Sequence, residues 1–186
     1  MIRHGNLIAN LTMGTELTRV TEDSSAVGWL PLYHDFGLVC YAMGSAFNGC
    51  YSILMSPLDF LHKPVRWLQA IARYRTTHNA GPNFGYDLCV RRTTQAERAA
   101  LDLSSWVVAG SGAEPVRQST LDSFAEAFRP SGFHPRAFYP SYGLAEATLF
   151  VSSGKPEDAA PPTLGLSAEE LERHRVTLQS EAEGAA

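Results

Sequence analysis

The chain has 186 residues, 45% of them hydrophobic and 18% charged, enough for one domain with a sizeable core or for one lobe of something larger. Its formal net charge of -4 gives no electrostatic reason to expect nucleic acid or an anionic membrane as partner, and the opening stretch MIRHGNLIANLTMG has no continuous apolar run of the kind a signal or membrane anchor needs. Cys40, Cys50 and Cys89 are odd in number, sit in apolar surroundings and show no CxxC or His-paired spacing, so they read as buried reduced thiols of a cytoplasmic protein.

Asn6 is an N-cap candidate for a first amphipathic helix with Leu7, Ile8, Leu11 and Leu17 on one face. After a polar break, residues 26–32 (AVGWLPL) predict a buried strand ending at Pro31, and residues 36–47, apolar throughout, predict a packed helix. A strand over 51–55 follows, then a helical region from Ser56-Pro57 whose clearest part, 64–74, sets Val65, Leu68, Ile71 and Ala72 against Arg66 and Arg73. Residues 76–80 predict a short strand, Gly81-Pro82-Asn83 a turn, and 84–92 a helix; a polar segment then reaches Leu103. SWVVA at 105–109 predicts a strand running into a flexible Gly110-Ser111-Gly112 loop, and Pro115 stands where a helix over 116–128 would begin, with Pro130 as its stop. In AFYPSYGLAEATLF at 137–150 the pattern is strand, turn, strand, with Pro140-Ser141 as the break. Beyond Ser152, Gly154, Pro156, Pro161 and Pro162 read as a linker, 166–175 as a charged helix and SEAEGAA as a frayed tail. Strands alternating with helices imply α/β organisation, a mostly parallel sheet flanked by helices.

Four segments carry residues fit for chemistry. His34, beside Asp35 after a buried strand, reads either as a polar group facing a cleft or as a capping histidine; neighbours on a strand end point in different directions, which argues against a metal pair. Gly112, Ala113 and Glu114 follow a strand, where exposed amides can meet an anion or a flat base, but Pro115 spoils GxGxxG and Ser111 is outside GxSxG. Asn83 and Phe84 lie at a third strand-to-helix junction. Glu146, just past Gly143, reads as a surface carboxylate or as a metal or substrate ligand. On consecutive parallel units such loops share one edge of the sheet.

Taken in order, RHGN at 3–6, WLPLYHDFGL at 29–38, PLDFLHKPVRWLQAIARYR at 57–75, GPNFGYDLCVRR at 81–92, DLSSW at 102–106, GAEPVR at 112–117 and FYPSYGLAEATLFVSSG at 138–154 resemble the adenylate-forming superfamily, most closely its fatty acyl-AMP ligases. The resemblance implies the fold of that superfamily's large N-terminal domain, with 1–154 as a partial AMP-binding core and 155–186 as linker, short helix and tail. It implies that ATP, with Mg²⁺, and a fatty acid give an acyl-adenylate, whose acyl group passes to the phosphopantetheine thiol of an acyl carrier protein or of a polyketide synthase or peptide synthetase carrier domain. By position, Tyr142 stacks on adenine, and the nucleotide contacts run over Gly112, Ala113, Glu114 and Pro115 and over Gly143, Leu144 and Ala145. His34 stands beside the reacting carboxylate and α-phosphate, Glu146 holds Mg²⁺, and Asn83, Phe84 and Tyr86 lie near the acyl-tunnel mouth. The superfamily's phosphate loop precedes RHGN, where this chain has only Met1 and Ile2, and its ribose-binding Asp and C-terminal domain with the catalytic Lys follow AEAT. The expectation is a central piece of that domain, which alone forms no acyl-adenylate. An acyl-CoA synthetase segment and a non-catalytic nucleotide- or partner-binding remnant are the alternatives.

Overall fold

The computed structural model describes residues 1–154 and 163–178. In α4 (Val65–Tyr74) the apolar spacing becomes structure directly: Val65, Trp67, Leu68 and Ile71 are buried while Arg66 and Arg73 face solvent. α5 (Asn83–Arg91) and α7 (Gln118–Phe128) pack against each other and bury Tyr86, Cys89, Leu121, Phe124 and Phe128. Between the helices runs an aromatic core. Trp29 stacks on Phe60 with centroids 3.8 Å apart, Trp67 meets Trp106 edge-on at 5.2 Å, and Phe124 meets Tyr86 at 5.1 Å and Phe133 at 4.9 Å. Such edge-on and offset pairs are each favourable by about 0.5–1.5 kcal/mol beyond the area they bury.

β1 (Ser25–Gly28) pairs in parallel with β2 (Tyr51–Leu54). β3 (His78–Gly81), β4 (Val108–Ser111) and β5 (Phe138–Gly143) form a second parallel set, and β6 (Phe150–Ser153) runs antiparallel along β5. The fold is thus α/β with a mostly parallel sheet. The two sets meet at a seam closed largely by side chains. Thr77 N–H donates to the Ser25 carbonyl at 3.0 Å, but beyond that point β1 and β3 part: Val27 N–H donates to Asn79 Oδ1 at 2.7 Å, and the Val27 carbonyl accepts from Trp67 Nε1 at 3.1 Å. Opposite, the Tyr41 hydroxyl accepts from Ala80 N–H and donates to the Ala80 carbonyl, both at 2.7 Å. One phenol therefore replaces a strand neighbour. Gly28 permits this, because a Cβ there would lie 2.6 Å from the Tyr41 ring.

Several expectations are corrected by this arrangement. The N-cap of α1 (His4–Thr18) is Arg3; Asn6 lies inside the first turn, where its Oδ1 accepts from Arg3 N–H at 2.9 Å. α1 has no buried apolar face: Ile8 is exposed, Leu7, Leu11 and Leu17 are half-buried, and its buried residue is Asn10. β1 stops at Gly28 because Trp29 turns into the core against Phe60. The helix over 36–47 is real, but its first part, Phe36–Met43, is wound as a π-helix, with Gly44 N–H bonded to the Val39 carbonyl, before regular winding over Gly44–Asn48; together these form α2. α3 (Pro57–His62) begins at Ser56, whose side chain caps it.

The "polar segment" contains a helix, α6 (Gln95–Ala99), announced by a Thr94/Glu97 capping box. β4 starts three residues later than SWVVA suggested, because Val107 and Val108 N–H both turn onto the Thr77 carbonyl, and it takes Gly110 and Ser111 into the buried ladder. α7 begins at Gln118, leaving Pro115 in the loop, and past Pro130 a 3-10 turn (Arg129–Ser131) continues it. Pro140 and Ser141 do not break β5. The missing proline N–H falls where pairing passes from β4, ending at Pro140, to β6, starting at Ser141. The charged helix shrinks to α8 (Ala168–Glu172), capped by Ser167 and flanked by a Leu166–Leu178 bridge. The three linker prolines and the SEAEGAA tail lie outside the described residues.

Candidate functional site

A cavity of about 600 Å³ lies between the sheet on one side and α1 and α2 on the other. Its floor is Val108 and Gly110 of β4, Asn79 and Ala80 of β3 and Tyr139 of β5; its roof is Leu11, Gly14 and Thr15 of α1 with Val39, Cys40 and Tyr41 of the π-wound turns. The walls are mostly apolar. Among the described residues no helix is long and apolar enough to cross a membrane.

Three of the four predicted segments supply its rim. His34, Gly112, Ala113, Tyr142, Gly143, Leu144 and Ala145 all line it. His34 and Asp35 do not diverge as neighbours on a strand end would. They sit in a turn, with His34 Nδ1 2.7 Å from Asp35 Oδ1, and Phe36 N–H donates to that oxygen at 2.7 Å. Nδ1 also accepts from Phe36 N–H at 3.1 Å, and Nε2 has no partner among the described residues. Tyr142 is 60% exposed, unusual for an aromatic at a strand end, so its ring offers a face rather than filling the core. Ala113 takes a left-handed φ of 67°, strain of a kind that clusters at ligand sites.

The other predicted residues stand behind the rim. Glu114 Oε1 accepts from Phe84 N–H at 2.6 Å, Asn83 Oδ1 accepts from Arg117 N–H at 3.0 Å, and Asn83 Nδ2 donates to Thr120 Oγ1 at 3.2 Å. Tyr86, fully buried, donates its hydroxyl to the Gly110 carbonyl at 2.7 Å. Asn83, Phe84 and Tyr86 therefore brace the 110–117 loop from behind rather than line the cavity, and exposed Pro115 completes that loop. Glu146 occupies a second, adjoining hollow with Met1, Ile2, Asn6, Ala147 and Thr148, and Ala145 lines both.

Glu146 is exposed, on a 3-10 turn (Ala145–Ala147), and makes no ion pair among the described residues; nor do these contain a cluster of three metal-ligating side chains. A lone free carboxylate does not make a protein cage for a cation. It does suit Mg²⁺, which is commonly held by one or two carboxylates plus substrate phosphates. The turn is closed by Gly143, where any Cβ would collide with the Leu149 carbonyl.

The thiols correct one expectation, since only Cys89 is buried. Cys40 exposes its surface into the cavity, where loss of bulk water, reinforced by the Asp35 charge, pushes its pKa up to about 12. It stays a neutral thiol. Residues missed in the sequence are Asn10, Tyr41 and His78, polar groups whose partners lie on distant elements; only Asn10, a polar residue among the apolar positions of α1, gave a local signal.

A family model described as AMP-binding enzyme matches residues 1–176. The medium-chain-fatty-acid acyl-carrier-protein ligase JamA of Moorena producens is 49% identical over 183 residues, 98% of this chain and 31% of that protein. The long-chain-fatty-acid–AMP ligase FadD26 of Mycobacterium marinum is 39% identical over 176 residues, 92% of this chain and 30% of that protein. Among solved structures, a fatty acyl-adenylate ligase from Legionella pneumophila in complex with acyl adenylate and pyrophosphate superposes with a TM-score of 0.94 at 42% identity, covering 99% of this chain and 32% of that one. The chain spans about a third of the length of the curated relatives it matches.

Proposed function

Since the chain belongs to the AMP-binding enzyme family and shares its fold with fatty acyl-AMP ligases, we propose that it is the part of such a ligase that holds adenylate and acyl chain together. The observation that carries this is the cavity itself: an apolar chamber whose rim brings Tyr142, Gly112, Ala113 and His34 into one opening. A fatty acyl chain matches the chamber and a nucleotide matches the rim.

In this reading the substrate carboxylate attacks the α-phosphorus of ATP, the bond to the β-phosphate oxygen breaks, and pyrophosphate leaves. Tyr142 supplies the stacking face for adenine, and the Gly112–Ala113 backbone, with Glu114 and Pro115 behind it, the wall beside it; Gly143, Leu144 and Ala145 close the other side. His34, oriented by Asp35, holds charge on the reacting oxygens; it has no proton to remove, because a fatty acid is already ionised near pH 7. Mg²⁺, when bound, would neutralise charge on the phosphates, and Glu146 is the residue that would hold it. Asn83, Phe84 and Tyr86 act through the loop they brace. Residues 1–154 form the AMP-binding core in this proposal. The acceptor in this proposal is a carrier-protein thiol; the JamA relative is named as an acyl-carrier-protein ligase. Cytoplasmic placement rests on the three free cysteines.

Calorimetry with a non-hydrolysable acyl-adenylate analogue, on the full-length product of the gene, tests the site. Binding lost in Tyr142→Ala is the expected result; binding unchanged by that substitution overturns the assignment. Loading of a carrier protein, measured beside loading of coenzyme A, decides the acceptor.

A further inference from the structure

We propose that Asn10 is a positioning residue: its side chain fixes the turn that presents Glu146, an inference that rests for its functional half on the reading of Glu146 as the metal-holding carboxylate. Asn10 is 8% exposed, in the middle of α1, and its amide is used on both sides. Nδ2 donates to the Phe150 carbonyl at 2.8 Å and to the Ala147 carbonyl at 3.4 Å, and Oδ1 accepts from Phe150 N–H at 3.1 Å. The amide thus pairs with Phe150 as a strand neighbour would, across 140 positions of sequence.

What it pins is strained. Thr148, buried between Ala147 and Phe150, has φ 80° and ψ -56°, a γ-turn conformation that is rare and costly for a β-branched residue. Such a conformation persists only where its surroundings over-determine it, and the Asn10 bonds grip the chain on each side of Thr148. α1 is itself a firm support. At its C-terminal end the Tyr139 hydroxyl donates to the Leu17 carbonyl at 3.0 Å, and His78 Nε2 lies 3.0 Å from the Thr18 carbonyl. Glu146, two residues before Thr148, inherits its place from this clamp rather than from contacts of its own.

The test uses the full-length gene product with Asn10→Ala, and Asn10→Thr as a second variant should the first fail to fold. Hydrogen–deuterium exchange is expected to rise over residues 144–150 and to stay unchanged over residues 65–74; no rise over 144–150 overturns the proposal. The Mg²⁺ concentration for half-maximal acyl-adenylate formation is expected to rise about ten-fold or more, the usual effect of losing a residue that orients a ligand, with the rate at saturating metal falling far less. A purely structural role would lower stability and leave that metal response where it was, which would overturn the functional half. Glu146→Gln, run in parallel, separates the two readings. If its metal response matches wild type, the metal assignment fails, and the exchange result alone upholds or overturns the clamp.

Discussion

His78 shows how a single side chain in the cavity wall ties stability to pH. Its ring lies 2.8 Å from Thr77 Oγ1 through Nδ1 and 3.0 Å from the Thr18 carbonyl through Nε2, so the neutral tautomer with Nε2–H is satisfied at both nitrogens. Burial lowers its pKa, and the bond to the Thr18 carbonyl only partly opposes that. The unfolded chain therefore takes up the proton first as pH falls. Stability is complete above the ordinary imidazole range, declines as pH drops through 6.5, and levels off once the lower folded-state value is passed. Urea unfolding of the wild type is expected to lose midpoint between pH 7.5 and 5.5, and His78→Gln to lose less of it over the same window. At this scale the sequence was legible where a residue's role depends on its immediate neighbours. His34 stood out from the residues around it and Tyr142 only through the family resemblance, whereas His78 and Asn10 work through carbonyls 60 and 140 positions away.

α2 is the element that separates local from long-range information. FGLVCYAM is apolar on every side, so periodicity announces a helix without saying how it is wound or which residue faces the sheet. The winding places Tyr41 at the seam, where its hydroxyl serves both backbone groups of Ala80. Tyr41→Phe leaves a buried N–H and carbonyl without that partner, and a loss of about 1–3 kcal/mol is expected in chemical denaturation. α6 is the opposite case: it was missed as part of a polar segment, although its Thr94/Glu97 capping box is a local signal that needs no tertiary contact.

Across the whole molecule, stability is concentrated in one aromatic core shared by both strand sets, with Trp67 near its centre. Trp67 touches Trp29, Phe60, Tyr86 and Trp106 and donates its indole N–H to the Val27 carbonyl, so it joins the helical layer to β1 at the seam. Trp67→Ala is expected to cost about 3–5 kcal/mol, read as a lower denaturation midpoint, and to loosen β1 in hydrogen exchange before the β3–β5 set. The sequence by itself determined the α/β class, the order of elements apart from α6, the buried face of α4 and the segments from which the rim is made, because helical period, strand alternation and turn residues act over a few positions. Only the tertiary structure decided that β1 and β3 part around a tyrosine, that Asn83 and Tyr86 brace the rim instead of lining it, and that Asn10 holds the Glu146 turn. Those facts depend on hydrogen bonds between segments far apart in the chain, and residue spacing carries no record of which distant carbonyl a side chain will meet.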